Sequence, residues 1–431
     1  MSEKSIRFTP PLKGKIVDED YPVDFLVDII SAEGLNLSCS TPGNINNLSS
    51  GSTIIIDMPF GEKVELISSG ITKKNKEGLY EIGIFDKKAY SDFIGRIRKI
   101  QHIVISETQN VEMSKDNGFS SYYFTPNALP EIDYDDLDTK ANFLGRDFSL
   151  PIFITAMTGG VEGGGLINDR LAASAEKFNI PMGLGSQRIA IENEDLNRYF
   201  ALKVKYPKLF LLGNIGGQQL LGDSGINIAK KAVELVGADA LAIHLNVLQE
   251  MIQPEGDRSF KGILEAIKEV KKSLDVPLIV KEVGMGVSLD VARRLIDAGV
   301  DVIDVGGGGG TSWAKIEGLR SNDDVTKRLG DVFKDFSLST AESLTQLEPL
   351  IKKNKIKITA TGGIRTGLDV AKAVALGANM VGIGLPFMKK AIISQEELNK
   401  EIIFFKRGLE ITMMATGSAN LSELKYKIKR G

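Results

Sequence analysis

PLIVKEVGMGVSLDVARRLIDAGVDVIDVGGGGG, residues 277–310, reads as strand, turn, helix, turn, strand. PLIV and VIDV are short, nearly continuous apolar runs, as expected of parallel strands buried on both faces. SLDVARRLIDAG (288–299) between them has a serine before the apolar pattern and a glycine just after it, the usual start and stop of a helix. Working outward, the same texture recurs in PIFITAMTGG (151–160), IPMGLGSQR (180–188), LFLLGNIGG (209–217), ALAIHLN (240–246), KITATGGIR (357–365) and MVGIGLP (380–386). With 277–286 and 302–310 these make eight runs, spaced on average by roughly the length of a β/α unit. GILEAIKEVKKSL (262–274) and GLDVAKAVALGA (367–378) supply further amphipathic helices. Eight units predict a closed TIM-type (β/α)8 barrel, with an open doubly wound sheet as the alternative.

Residues 1–95 have another character. Alternating or β-branched runs at Phe25–Ile30, Gly34–Ser38, Ser52–Met58, Lys63–Ser68 and Leu79–Phe85 are separated by TPGNINNLSSGS (41–52) and KKNKEG (73–78). That pattern predicts a small all-β domain. A helix is expected from about Lys87 past Arg98. The predicted division is therefore an all-β module over 1–95 and a barrel domain over 96–431.

Bulk properties narrow the function. The chain has 431 residues, 42% apolar, enough for a full barrel and an extra module. A net charge of −3 gives no reason to expect a nucleic-acid polymer. The single cysteine, Cys39, excludes an internal disulfide framework and fits a cytoplasmic protein. MSEKSIRFTPPLKGK (1–15) lacks the apolar core of a signal peptide, and no run of about 18 apolar residues predicts a membrane span.

In a parallel barrel the chemistry sits where strands end. The polar clusters fall there. Gly362, Gly363 and Arg365 after the seventh strand, with Gly384 and Leu385 after the eighth, read either as a phosphate site or as glycines that only make a tight turn, the phosphate being the favoured reading. Gly306–Gly310 before Thr311 costs backbone entropy, which suggests a close approach. Lys281 ends the fifth strand, where it reads either as a solvent-facing lysine or, inside the barrel mouth, as a cation suited to an anionic reduced flavin. His244, Asn246, Gln249 and Glu250 follow the fourth. One carboxylate with substrate phosphates is a normal Mg2+ arrangement, so Glu250 is the metal candidate. Arg96, Arg98, Lys99 and His102 form a basic stretch that reads either as a solvated helix face or as a clamp for a diphosphate.

RKIQHI (98–103), FTPNALPEID (124–133), GLGSQR (183–188), HLNVLQE (244–250), QPEGDRSF (253–260), VKEVGMG (280–286), GGGGGTSWAKIE (306–317) and TGGIRTGLDVAKAVALGA (361–378) occur together and in order. From about Arg98 to Lys390 the chain resembles the FMN-dependent, type 2 isopentenyl-diphosphate isomerases. The resemblance implies interconversion of isopentenyl and dimethylallyl diphosphate, with FMN, Mg2+ and NADPH as the initial reductant. It implies substrate contacts from Arg98, Lys99, His102, Ser186, Gln187, Arg188 and Gln249, with His244 and Asn246 completing the reaction centre. It implies a flavin site of Ala156, Met157, Thr158, Ser186, Asn214, Lys281, Thr311, Gly363, Ile364, Arg365, Gly384 and Leu385, with Mg2+ on Glu250. Reduced flavin would perform the proton chemistry, so His244 need not be the base. QPEGDRSF is placed to act as a lid. The resemblance also implies a homo-oligomer.

The N-terminal segment resembles a PilZ domain in DIISAEGLNLSCSTP (28–42), LSSGSTIIIDMPF (48–60) and GLYEIGIF (78–85). No Arg-x-x-x-Arg occurs in residues 1–40, and the second motif of that fold is off by one at Asp28–Gly34. A PilZ-like fold with weak or no cyclic di-GMP binding is therefore expected; packing or oligomerisation is the other use of such a module. Two competing functions remain: an FMN-dependent hydroxy-acid oxidoreductase, disfavoured because His244 is the one histidine within the barrel, and a nucleotide-sensing protein with an inactive barrel.

Overall fold

The computed structural model describes residues 5–17, 23–31, 35–38, 53–57, 63–74, 80–84, 86–157, 159–321, 323–353 and 356–431. Cys39, Thr158 and the end of the PilZ-like motif, 32–34, lie outside them.

The amino-terminal strands β1 (Ser5–Val17), β2 (Val23–Ser31), β3 (Leu35–Ser38), β4 (Thr53–Asp57), β5 (Lys63–Lys74) and β6 (Tyr80–Ile84) close into an antiparallel barrel of order β1-β2-β3-β6-β5-β4. Ile54 and Ile56 on β4, and Val64 and Leu66 on β5, are buried at every second position, as an inward-facing barrel row requires. The sequence pattern did not anticipate β1. Its register with β2 shifts between Arg7 and Leu12, across Pro10 and Pro11. Prolines donate no ladder hydrogen bond and sit at such irregularities.

Helix α1 (Lys87–Thr108) begins three residues after β6 and runs without interruption for 22 residues. It passes through the predicted division at 95/96. Phe93, Ile97, Ile100 and Ile103 are buried along it at helical spacing.

The eight apolar runs form the strands of a second closed barrel, all parallel: β7 (Ile152–Ile154), β8 (Met182–Gly183), β9 (Leu211–Gly216), β10 (Ala240–Leu245), β11 (Leu278–Glu282), β12 (Val302–Asp304), β13 (Lys357–Thr361) and β14 (Met380–Ile383). β14 pairs back onto β7, which closes the ring and removes the open-sheet alternative. A hairpin of Ala141–Phe143 and Arg146–Phe148 packs Phe143 and Phe148 against Phe153, Leu212, Ala242, Ile279 and Met380, residues at the first turns of the barrel strands. These side chains fill the amino-terminal end of the barrel. Among the described residues no helix is long and apolar enough to cross a membrane.

Candidate active site

One cavity opens at the carboxyl ends of the parallel strands, under the side chains of α1. Register decides what faces it. His244 pairs with Lys281, Lys281 with Asp304 and Asp304 with Thr359, so these side chains form one row across β10–β13. Lys281 and Asp304 are buried in this row. Burial lowers the proton affinity of Lys281, opposed by Asp304 and Glu282. Burial likewise raises that of Asp304, opposed by Lys281 and the Thr361 hydroxyl, which donates to it at 2.7 Å.

His244 carries its proton on Nδ1 if it donates to Asn214 Oδ1, 3.0 Å away. Burial, with Lys281 and Lys99 nearby, pushes its pKa down to about 3, so the ring is neutral at physiological pH. Asn214 is fixed in turn by donating to the Leu184 carbonyl at 3.0 Å.

The six-residue helix α2 (Val247–Ile252) follows β10. Asn246 at its start donates to Glu250 Oε1 at 2.9 Å and to Gln249 Oε1 at 3.3 Å. Glu250 Oε2 accepts from the Asp257 amide at 2.7 Å, so the QPEGD loop is pinned to the carboxylate expected to carry metal. Arg258 secures the same loop by donating to the Glu250, Met251 and Gln253 carbonyls. Among the described residues no three His, Cys, Asp or Glu side chains converge as a metal cage. Glu250 therefore suits a cation only with ligands from a second source.

Helix α3 (Trp313–Arg320) meets α1 across the cavity. Glu317, fully buried on it, accepts at Oε1 from His102 Nε2 at 3.0 Å and from Gln249 Nε2 at 2.9 Å, and at Oε2 from Arg320. Burial would raise the Glu317 pKa, but Arg320 and then His102 and Gln249 hold it well below the usual carboxylate range. His102 also stands edge-on to Trp313, with ring centroids 5.2 Å apart. Burial lowers its proton affinity, outweighing Glu317.

The cationic side of the cavity is Arg98, Lys99 and Arg188. Burial and then the two arginines push the Lys99 pKa down to about 7. Arg188 donates to Glu192 at 2.8 Å and is half exposed.

Across from these, the loops after β12, β13 and β14 bring Gly306, Gly307 and Gly310, then Gly362–Arg365, then Gly384 and Leu385 to the wall. The five-glycine run is a matter of contact. A Cβ on Gly309 would stand 2.2 Å from the Asn117 backbone, and one on Gly310 2.6 Å from the Gly363 nitrogen. Gly363 itself has φ +70°, and a Cβ there would lie 2.4 Å from the Gly309 carbonyl oxygen. Two backbones touch, which only glycine permits. Thr366 caps helix α4 (Gly367–Ala375), while Gly384 precedes helix α5 (Leu385–Ile393). Arg365 is held by Glu112, to which its Nε donates at 2.9 Å.

Ala156, Met157, Ser186, Asn214, Lys281, Thr311, Gly363, Ile364, Arg365, Gly384 and Leu385 all line the cavity, as do Arg98, Lys99, His102, Arg188, His244, Asn246, Gln249 and Glu250. Gln187 does not, which corrects the expectation of a substrate contact. It is fully buried behind the wall, donating to the Ala232 carbonyl at 2.8 Å and accepting from the Asn214 amide at 2.8 Å. Its neighbours in the SQR motif face the cavity; Gln187 braces β9. Sequence reasoning passed over Glu317 and Arg320, whose i, i+3 spacing reads as an ordinary surface pair, and Glu282. Glu282 Oε2 accepts from the amides of Val283 and Gly284, each at 2.6 Å, and of Met285, while Oε1 is buried without a hydrogen-bond partner. The Glu282 pKa is raised to about 7 by burial, against those three amides.

A closed ring of eight parallel strands, with its cavity at their carboxyl ends, defines a TIM-barrel class of enzyme. In fold it is similar to the recombinant flavin-binding domain of baker's yeast flavocytochrome b2 (TM-score 0.55, 18% identity, 80% of this chain and 85% of that one). A second flavocytochrome b2, a point mutant, gives TM-score 0.56 at 19% identity, over the same shares of each chain. The FMN-dependent dehydrogenase family matches residues 228–430. The full-length relatives are more specific. Isopentenyl-diphosphate delta-isomerases from Nostoc sp. (42% identity over 330 residues, 76% of this chain and 94% of the relative), Rickettsia africae (43% over 327, 76% and 95%) and Archaeoglobus fulgidus (44% over 329, 76% and 93%) align with it. The chain belongs to the isopentenyl-diphosphate delta-isomerase family.

Proposed function

We propose that this protein interconverts isopentenyl diphosphate and dimethylallyl diphosphate by a 1,3-proton shift, using reduced FMN, Mg2+ and NADPH as the initial reductant. The observation that carries the reading is the polarity of a single cavity: Arg98, Lys99 and Arg188 on one side, glycine loops on another, and Gln249, His244 and Asn246 between them.

The residues fit a flavin. Among the described residues the buried Lys281 ammonium donates only to the Glu282 carbonyl, at 3.0 Å, and Glu282 Oε1 has no partner, so the wall keeps a cation and an acceptor for a ring edged with both carbonyls and N–H groups. Gly363, Ile364, Arg365, Gly384 and Leu385 would hold the flavin phosphate; Ala156, Met157, Thr158, Ser186, Asn214 and Thr311 would line the ring. Bound reduced FMN supplies the acid/base group and an electron-rich face for a carbocation-like state.

Arg98 and Lys99, with Arg188, His102 and Ser186, bind the diphosphate, and Glu250 holds Mg2+ against it. Gln249 is clamped at both ends of its amide by Glu317 and Asn246, which orients it toward the carbon that loses its proton. Neutral His244 and Asn246 close the wall around the isoprenyl chain. The apolar seal at the other end of the barrel excludes water that would capture a cation. A hydroxy-acid oxidoreductase needs a histidine base, and a ring held near pKa 3 is a poor one.

In this assignment the isomerase domain takes in α1 and everything after it, so it begins ahead of the expected 95/96 division, and the strands before α1 are a PilZ-like module that packs or assembles, with weak or no cyclic di-GMP binding, in a cytoplasmic homo-oligomer. The test is anaerobic incubation with isopentenyl diphosphate, FMN, NADPH and Mg2+, followed by NMR of the product. Absence of dimethylallyl diphosphate overturns the assignment. For the site, Gln249→Ala should keep flavin and lose turnover by about 100-fold.

A further inference from the structure

Arg320 does not line the cavity, yet its side chain is only 3% exposed. Its guanidinium reaches three segments. Nη1 donates to Glu317 one turn earlier on α3, Nη2 to Glu255 Oε1 in the QPEGD loop at 2.6 Å, and Nε to Gln101 Oε1 on α1 at 3.2 Å. A planar fork of this kind fixes direction as well as charge.

What Arg320 fixes is the carboxylate of Glu317. With Oε2 taken by the guanidinium, Oε1 is left facing His102 and Gln249, and it accepts from both. Gln101, also held by Arg320, immediately precedes His102. Gln253, with its amide oriented to satisfy both neighbours, links the same Glu317 oxygen at 3.2 Å to Arg98 at 3.3 Å. The groups that turn Gln249 toward the substrate and hold the cationic rim in place thus converge on one buried carboxylate with one direct guanidinium partner.

We propose that Arg320 is a positioning residue for the isomerisation: it keeps the Glu317 carboxylate charged and oriented, so that Gln249 and His102 hold their working geometry. The proposal rests on the assigned reaction, but its structural half does not. The charged groups facing Glu317 are Arg320 on its own helix and Arg98 and His102 from α1, with Glu255 of the loop beyond Arg320 and Arg188 beyond Arg98. Without Arg320, burial favours a protonated Glu317, with only Arg98, His102 and Gln249 left to oppose it. A protonated carboxyl would carry its proton on the Oε2 that Arg320 leaves, so Oε1 becomes a neutral carbonyl acceptor, and its bonds to His102 and Gln249 lose their charge assistance and their fixed direction.

Full-length, FMN-loaded wild type, Arg320→Gln and Arg320→Lys are compared from pH 6 to 9. Expected for Arg320→Gln is a kcat lower by about 10- to 100-fold at pH 7, with KM within about threefold and a new limb along which kcat rises with pH. Arg320→Lys should recover part of the loss. The chain has two histidines, so ring NMR gives a readout independent of turnover. The His102 signals and their titration should move in Arg320→Gln while those of His244 stay. If Arg320→Gln does not fold, Arg320→Lys, which keeps the charge but not the fork, should move the His102 signals in the same sense by less. A wild-type pH profile with unmoved His102 signals overturns the proposal, and so does loss of flavin in step with turnover. If the wild type itself makes no dimethylallyl product, the assigned reaction fails, and the His102 signals alone decide whether Arg320 positions this network.

Discussion

Substrate binding should take up a proton at alkaline pH, and Lys99 is the group that takes it. In the free protein, burial and the adjacent Arg98 and Arg188 push its pKa down to about 7, against an ordinary lysine value of about 10.4. A diphosphate placed among these cations reverses the sign of the local field and stabilises the ammonium. The folded-state pKa is depressed when free and raised when bound. Binding is therefore strongest below pH 7 and weakens as pH climbs through 7 toward the pKa of the complex. At pH 8 a group of pKa 7 is about one-tenth charged, so binding should absorb roughly 0.9 proton; at pH 6 the uptake should be about 0.1. Above neutrality the dissociation constant should rise by about tenfold per pH unit, or about 1.4 kcal/mol. Calorimetric titration with isopentenyl diphosphate, in buffers of different ionisation enthalpy, measures the uptake directly. Lys99→Met should abolish both the buffer dependence and the pH slope. A heat at pH 8 that is independent of buffer in the wild type, or an undiminished uptake in Lys99→Met, refutes the reasoning.

Glu250→Gln keeps the hydrogen bond to Asp257 but loses the negative charge, so its activity should require a higher Mg2+ concentration; an unchanged metal dependence removes Glu250 as a ligand. Gln187→Leu breaks two buried hydrogen bonds and should lower stability by about 1–3 kcal/mol in denaturant unfolding, with KM for the diphosphate near the wild-type value. A large rise in KM without loss of stability would restore Gln187 as a substrate contact. Titration of the whole chain with cyclic di-GMP should give no sub-micromolar binding, and heat at that affinity would reverse the reading of residues 1–95.

The large barrel was legible because parallel strands buried on both faces must be apolar almost throughout. ALAI, PLIV and VIDV carry that signature, and the residues following each run fall at the mouth by geometry alone. Lys281, His244 and Glu250 were found this way. Gln187 could not be resolved, because Ser186, Gln187 and Arg188 lie in a turn where adjacent side chains diverge without a fixed period. Glu317 and Arg320 were invisible for a different reason. On an isolated helix their spacing describes a solvated pair, and only the docking of α1 against α3 buries them. β1 escaped because its two prolines break the alternation by which strands are recognised, while the barrel tolerates them at a shift of register.

The aromatic hairpin beneath the barrel has a consequence for traffic. Phe143 and Phe148 cork the lower end, so the chamber is a cul-de-sac with its door under α1. On the proposed assignment, alkene, reductant and departing product would share that doorway and take turns in it. A nicotinamide would then reach a flavin seated there only while the diphosphate is away, and an alkene would enter only once the nicotinamide has gone. Excess isopentenyl diphosphate should then slow the bleaching of the oxidised flavin by NADPH, a competition visible in a stopped-flow trace.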